Sequence, residues 1–292
     1  MRIVDIKRFA VHDGDGVRTT VFLKGCSLHC RWCHNPESIS PQPQLGFYAH
    51  QCLHCGACVA ACAAEAHTVT EGGHRFDRSK CLACAACANV CPAGALEFYG
   101  KDMDTDTLVR TLLEDKAFYA ASGGGITLSG GECLLQAADC AALLRRMHAH
   151  GVHTAVDTCG EVPQQALDAV LPYTDLFLYD LKHIDSAKHR TGTGKGYERI
   201  LRNLHYLADT GKPIEIRIPL IIGFNDDAIA AMGAFLRELP GITRVKVLPY
   251  HDYARGKYAA IGAADTMPPM AAENGLHTAI ATLQACGLTV TE

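Results

Sequence analysis

No excess of positive charge runs through this chain: 27 Lys and Arg face 31 Asp and Glu, for a net charge of −4. A polyanionic partner such as nucleic acid is therefore not expected, because binding to it is driven by neutralising phosphates. No apolar run approaches the length needed to span a bilayer, so no membrane segment is expected. An apolar targeting segment at the start is also missing, which argues for the cytoplasm rather than secretion. What remains is an ordinary globular composition, 48% hydrophobic and 20% charged over 292 residues, enough for one large core plus a small appended module.

The abundant residue is cysteine, with fifteen copies. Cys26, Cys30 and Cys33 form a C-x3-C-x2-C triplet directly after the apolar run Val17 to Lys24. Three thiolates hold three irons of a cubane and leave the fourth free to bind and reduce a substrate. Two further runs, Cys52, Cys55, Cys58, Cys62 and Cys81, Cys84, Cys87, Cys91 followed by Pro92, repeat the bacterial C-x2-C-x2-C-x3-C spacing. A disulfide framework belongs to short secreted chains. Zinc also suits C-x2-C pairs, but it does not need an evenly repeated eight-cysteine double run. Cys133, Cys140, Cys159 and Cys286 are scattered, and Cys140 and Cys286 read as small buried hydrophobes. Exposed cubane iron implies a reducing, oxygen-poor compartment.

Around this segment, β-rich runs alternate with helical ones. The runs are Val17 to Lys24, Gly125 to Ser129, His153 to Asp157, Leu176 to Leu181, Ile214 to Pro219 and Val245 to Pro249. Helices are expected over Asp104 to Tyr119, Leu134 to His150, Ile200 to Thr210, Ala228 to Leu239 and Ala271 to Cys286. Alternation implies a parallel sheet with crossover helices. Six units fall short of a closed eight-stranded barrel, and chemistry-bearing residues follow most strands, as at a barrel mouth. The fold expected is therefore α/β, a partial (β/α)6 TIM-like barrel over residues 1–46 and 101–292. Residues 47–100 would form a bacterial ferredoxin-like insert holding two 4Fe-4S clusters. Because the fourth cysteine of each such run serves the other cluster, Cys52, Cys55, Cys58 and Cys91 are assigned to one cubane. Cys62, Cys81, Cys84 and Cys87 are assigned to the other.

The stretch Cys26-Ser27-Leu28-His29-Cys30-Arg31-Trp32-Cys33 resembles the signature of radical S-adenosylmethionine enzymes. Asp13-Gly14-Asp15-Gly16-Val17-Arg18-Thr19-Thr20 and Trp32-Cys33-His34-Asn35-Pro36-Glu37-Ser38 are similar to the glycyl radical enzyme activating enzymes. So are Ser129-Gly130-Gly131-Glu132, Asp157-Thr158, Asp180-Leu181-Lys182 and Leu248-Pro249-Tyr250-His251. The resemblance implies that the open iron chelates S-adenosylmethionine, that one electron cleaves it to a 5′-deoxyadenosyl radical, and that this radical takes a hydrogen from a backbone glycine of a partner enzyme. Three 4Fe-4S clusters, S-adenosylmethionine and a candidate monovalent cation at Asp157, Thr158 and Asp180 are the implied cofactors. The implied partners are a glycyl radical enzyme and a flavodoxin or ferredoxin as electron donor, with the activase itself a monomer.

Residue chemistry assigns the cofactor contacts. Gly130 and Gly131 would let the backbone approach the methionine amino group, with Glu132 accepting from it or orienting it, though a strand-to-helix corner also uses such a turn. Arg217, within the otherwise apolar run Ile216 to Pro219, needs an anion, and the methionine carboxylate is the candidate; an edge arginine reaching solvent is the alternative. Asp180 and Lys182 share one strand face and bind ribose or sulfonium-proximal groups, or else form a structural ion pair. Lys182 is counted as catalytic with the three cysteines. Trp32 covers the cluster, His251 approaches adenine or methionine, and His34 tunes the cluster. Asp13 and Asp15 stand where the family has Asp-Gly-Pro-Gly, the loop implied to receive the partner's glycine segment, and Cys133 replaces the proline after Gly-Gly-Glu. Gly192-Thr193-Gly194-Lys195-Gly196 lacks phosphate-loop spacing and reads as a helix-entry turn. Two alternatives remain: a radical enzyme with auxiliary clusters that modifies another peptide or small molecule, and a ferredoxin-type electron carrier.

Overall fold

The computed structural model describes residues 1–273 and 275–292. The chain opens with an antiparallel pair, β1 (Arg2–Ala10) and β2 (Arg18–Leu23). It then leaves the main sheet for β3 (Gln44–Phe47), α1 (Ala57–Ala61), β4 (His67–Thr70), β5 (Gly73–Phe76), α2 (Ala86–Asn89) and β6 (Leu96–Tyr99). It returns through β7 (Lys101–Asp102), α3 (Thr105–Leu113) and α4 (Lys116–Ser122) to β8 (Gly125–Gly130). From there strands and helices alternate: α5 (Ala137–Ala149), β9 (His153–Thr158), α6 (Gln164–Val170), β10 (Leu176–Asp180), α7 (Ser186–Thr193), α8 (Glu198–Asp209), β11 (Ile214–Leu220), α9 (Ile229–Arg237) and β12 (Ile242–Pro249). Helices α10 (Arg255–Ile261) and α11 (Leu276–Ala285) and strand β13 (Val290–Thr291) finish the chain.

The described residues form a nine-stranded sheet in which β2, β8, β9, β10, β11 and β12 are parallel neighbours in chain order. Sequential parallel order with covering helices is the winding of a barrel, and here its edges stay apart. All six expected strands are present. The sequence reading missed β1 and β7, antiparallel at one edge, and the two-residue β13 at the other. Strand β1 alternates apolar residues with Asp5, Lys7 and Arg8 and is largely exposed, so it lacks the continuous apolar signature of a central strand. Leu128, Phe177, Tyr179 and Ile216 of the sheet pack with Leu143 and Leu144 of α5 and Leu204 of α8 in one core.

The helix expected over Asp104 to Tyr119 is broken into α3 and α4. Asp115 turns its carboxylate inward to accept from Arg8 Nε at 2.8 Å and Thr19 Oγ1 at 2.8 Å, so the chain bends where that side chain is buried. The Gly192 to Gly196 stretch also differs from expectation: Gly194, at φ +83°, ends α7 rather than starting a helix. The last helix begins at Leu276 instead of Ala271, and residue 274 of that expectation lies outside the described residues.

Between β2 and β7 the chain builds a small two-fold unit. β3 pairs antiparallel with β6 and β4 with β5, so strand, cysteine run, short helix and strand occur twice, with Cys81 standing 29 residues after Cys52. Leu45, Cys58, Cys87 and Leu96 form a core separate from that of the main sheet. Arg78 fastens the unit to the rest by donating to the carbonyls of Leu45 and Ala260.

Candidate active site

The carboxyl ends of the six parallel strands surround a cavity of ≈ 840 Å³. Cys26, Cys30 and Cys33 form part of its wall. Their loop is fixed at both ends and in the middle. Gly25 N donates to Ser38 O at 2.7 Å and Cys26 N to Ile39 O at 3.0 Å, while Tyr258 Oη donates to Cys33 O at 3.1 Å. Between them, His29 N and Arg31 N donate to Thr193 O and Gly192 O at the end of α7, at 2.8 and 2.9 Å. The glycine-rich stretch thus serves the cysteine loop: a Cβ at Gly192 would lie 2.9 Å from the Trp32 ring, which packs against Phe224 with centroids 4.6 Å apart. All fifteen cysteines are free. Burial raises the thiol pKa of Cys30 and pushes Cys33 up to about 12, while Lys182 pulls both the other way.

Gly130 and Gly131 reach the cavity wall, but their lack of a side chain is demanded from behind. A Cβ on either would come within 2.2 Å of backbone, Leu23 N for Gly130 and Gly25 O for Gly131. Gly131 N donates to Leu23 O at 2.9 Å and Glu132 N to Gly25 O at 2.8 Å, binding this turn to the start of the cysteine loop. The Glu132 side chain does not line the cavity. It is fully buried, and it accepts from Leu134 N at 3.0 Å, Thr158 Oγ1 at 2.9 Å and Cys159 N at 2.9 Å. Its role is therefore to position strand-end loops, not to meet a ligand. Cys159, which the sequence reading left unassigned, lies 3.0 Å from Glu132 Oε2 and hydrogen-bonds with Cys26, which lowers the Cys26 thiol pKa.

The charged residues expected at the mouth do converge, and they pair with one another. Arg217 lies 3.3 Å from Asp157 and 3.6 Å from Asp13, and donates to His12 O at 3.1 Å. It therefore already has two anions from this chain, while Arg217 Nε and Asp157 Oδ1 remain buried without a hydrogen-bond partner. Burial works against the charge of Arg217, yet Asp157, Asp180 and Asp13 outweigh it and the pKa is raised. Asp157 is pushed up to about 7 by burial, with Arg217 opposing. Lys182 Nζ is 2.5 Å from Asp180 Oδ2, the same-face pair expected from their spacing; despite burial, Asp180 and Cys30 hold its pKa up. Asp157, Thr158 and Asp180 do not form a bare cation cage. Thr158 gives its hydroxyl to Glu132, and the two carboxylates are balanced by Arg217 and Lys182.

Asp13 and Asp15 part company. Asp13 lines the cavity, but Asp15 points away and pairs with Arg244 at 2.8 Å. His34 and His251 line the mouth with rings stacked 4.0 Å apart, and His251 Nδ1 is buried and unpartnered. Lys246 also reaches the cavity, a residue sequence reasoning passed over although its strand alternation places it beside Arg217.

In the two-fold unit, two small cavities gather eight further cysteines. One is lined by Cys52, Cys55, Cys58 and Cys91, the other by Cys62, Cys81, Cys84 and Cys87. Backbone amides point at sulfur in both halves, His54 N to Cys52 and Ala83 N to Cys81, each at 3.4 Å.

Residues 20–236 match the model of the radical SAM superfamily. The chain is 42% identical over 268 residues to the choline trimethylamine-lyase activating enzyme of Oleidesulfovibrio alaskensis, covering 89% of this chain and 86% of that protein. It is 44% identical over 269 residues to the isethionate sulfite-lyase activating enzyme of Desulfovibrio desulfuricans, with the same two coverages. A domain of pyruvate-formate lyase-activating enzyme from Bacteroides vulgatus is 34% identical, with a TM-score of 0.49, over 57% of this chain and 98% of that one. With a cysteine loop at the mouth of a parallel sheet and relatives of this closeness along most of its length, the chain belongs to the radical SAM superfamily and, within it, to the glycyl radical enzyme activating enzymes.

Proposed function

We propose that the activase reaction runs in the barrel-mouth cavity, with Cys26, Cys30 and Cys33 holding a 4Fe-4S cluster and S-adenosylmethionine lying beside it. The donor set fits: the three free thiols of the loop line one cavity together with Cys159, and Leu28 N donates to Cys26 Sγ at 3.4 Å, an interaction that favours the thiolate. When bound, the cluster supplies the electron for reductive cleavage of S-adenosylmethionine. Arg217, Asp157 and His251 line the same cavity and would face the polar groups of S-adenosylmethionine. Lys182, held by Asp180, sets a fixed positive charge near Cys30 and favours its thiolate. Trp32 and Phe224 exclude water beside the cysteine loop.

The observation that carries this reading is the convergence of the cysteine triplet with the strand ends on one cavity. Anaerobic reconstitution tests it: about twelve irons are expected in three cubanes, with cleavage under reductant and a glycyl electron-spin signal on the partner. A partner panel that includes a choline trimethylamine-lyase and an isethionate sulfite-lyase would assign the protein substrate. Cleavage without any glycyl signal across the panel would favour modification of another peptide or small molecule.

Residues 47–100 are proposed to be a ferredoxin-like module with a 4Fe-4S cluster in each small cavity, relaying electrons from flavodoxin or ferredoxin. The four-and-four grouping of the cysteines and the amides aimed at sulfur support this. Among the described residues no helix is long and apolar enough to cross a membrane. A cytoplasmic, monomeric activase remains part of the proposal, tested by fractionation and by sedimentation under anaerobic conditions.

A further inference from the structure

The two-fold unit contains its own control. In the first cavity the β5 residue facing the cysteines is His74; 29 residues earlier, its counterpart on β3 is Leu45, which lines the second cavity. The same offset relates His67, lining the second cavity, to Leu96, lining the first. The amides of His54 and Ala83 repeat across the two halves, and Ala66 N adds a bond to Cys62 Sγ at 3.3 Å in the second, but the histidine contact to sulfur occurs in the first alone among the described residues. His74 Nδ1 lies 3.3 Å from Cys52 Sγ, and its Nε2 lies 3.0 Å from His67 Nδ1 and 3.7 Å from Cys58 Sγ. Among the described residues, no other side chain hydrogen-bonds to these eight sulfurs.

We propose that His74, oriented by His67, is a positioning residue that donates its Nδ1 proton to the Cys52 thiolate and sets the cubane of the first cavity at a higher reduction potential than that of the second. The proposal rests on the ferredoxin-like reading of residues 47–100. A ligating thiolate can only accept, and the shorter sulfur contact, 3.3 Å against 3.7 Å, is at Nδ1, so the proton lies on His74 Nδ1. His74 Nε2 then accepts from His67 Nδ1, giving one consistent direction along the chain of three groups. His67 is buried, stacks on Phe76 with centroids 4.7 Å apart, and is thereby held in the orientation that fixes the His74 ring. A hydrogen bond to a cluster sulfur stabilises the more negative, reduced state and so raises the potential. The asymmetry makes the first cavity the preferred resting place for an electron within the module.

The test is a redox titration of the fully reconstituted enzyme followed by electron-spin resonance, with Cys55→Ser identifying the first cavity's signal. His74→Leu, which makes the two halves alike, should lower that cluster's potential toward that of the second cluster with iron content unchanged. His67→Leu should lower it less. His74→Asn, which keeps an N–H donor near the position of Nδ1, should restore most of it, and Leu45→His should raise the second cluster. An unchanged potential in His74→Leu overturns the proposal, as does loss of one cluster's iron in both His74→Leu and His74→Asn. A wild-type enzyme that binds only the iron of the Cys26 site would instead sink the ferredoxin-like reading itself.

Discussion

The barrel mouth and the two-fold unit both collect cysteines, but they surround them differently. At the mouth, the three thiols of the loop share a cavity of ≈ 840 Å³ with Cys159, Asp13, Asp157, Asp180, Lys182 and Arg217. In the unit, each group of four faces a cavity of ≈ 20 or ≈ 30 Å³ lined largely by alanine, leucine and histidine, with no carboxylate in either lining. A large cavity walled by paired charges suits a molecule that must enter, be oriented and leave. A tight apolar pocket suits a group that remains in place and only gains and loses electrons. Cysteine spacing already sets the two uses apart, and the neighbouring side chains agree with it.

The largest effect expected separates the regions outright. Cys30→Ala should abolish S-adenosylmethionine cleavage with any reductant, whereas Cys55→Ser should retain cleavage with an artificial reductant and lose it with a protein donor. Equal loss with both donors would give the unit a structural role. Next in size is Gly131→Ala, whose Cβ would meet the Gly25 carbonyl at 2.2 Å. Backbone overpacking of this kind costs about 1–3 kcal/mol or more, measurable by denaturant unfolding, and should loosen the triplet while leaving the eight cysteines of the unit able to bind iron.

The charges of the mouth should also give it a pH dependence of its own. The folded Asp157 carboxyl is pushed up to about 7, while an unfolded aspartate titrates near about 4. Between those values the folded chain holds a proton that the unfolded chain has lost, so this group makes stability fall as pH rises through that window. The melting temperature of Asp157→Asn relative to the parent should therefore improve from pH 5 to pH 8; a flat difference would mean that Arg217 fully compensates the buried charge. The smallest effect belongs to Asp15→Asn. Its exposed pair with Arg244 is worth about 0–1 kcal/mol, so stability and cofactor cleavage should be nearly unchanged. A large loss of partner activation alone would restore Asp15 to a docking role.

The six central strands were legible because runs such as Leu176 to Tyr179 are continuously apolar, as a strand covered on both faces must be. The mouth was legible because its polar residues sit at the ends of those runs. The role of Glu132 was not, since the same carboxylate after Gly-Gly could face a ligand or the chain, and only the positions of Thr158 and Cys159 decide. Arg217 was correctly read as needing an anion, but pairing a strand residue with Asp13 requires the curvature of the sheet. His67 and His74 passed as two of fifteen histidines because their contact depends on the hairpin that pairs Val69 with His74.

The grip of α7 on the cysteine loop has a mechanical consequence. The loop leaves the sheet at β2 and is tied, through His29 and Arg31, to the helix that follows β10, so it bridges strands that are three places apart in the sheet. A docking protein that pried open the unclosed side of the barrel would pull on this bridge and alter the spacing of the thiols, so that engagement at the rim is felt at the metal.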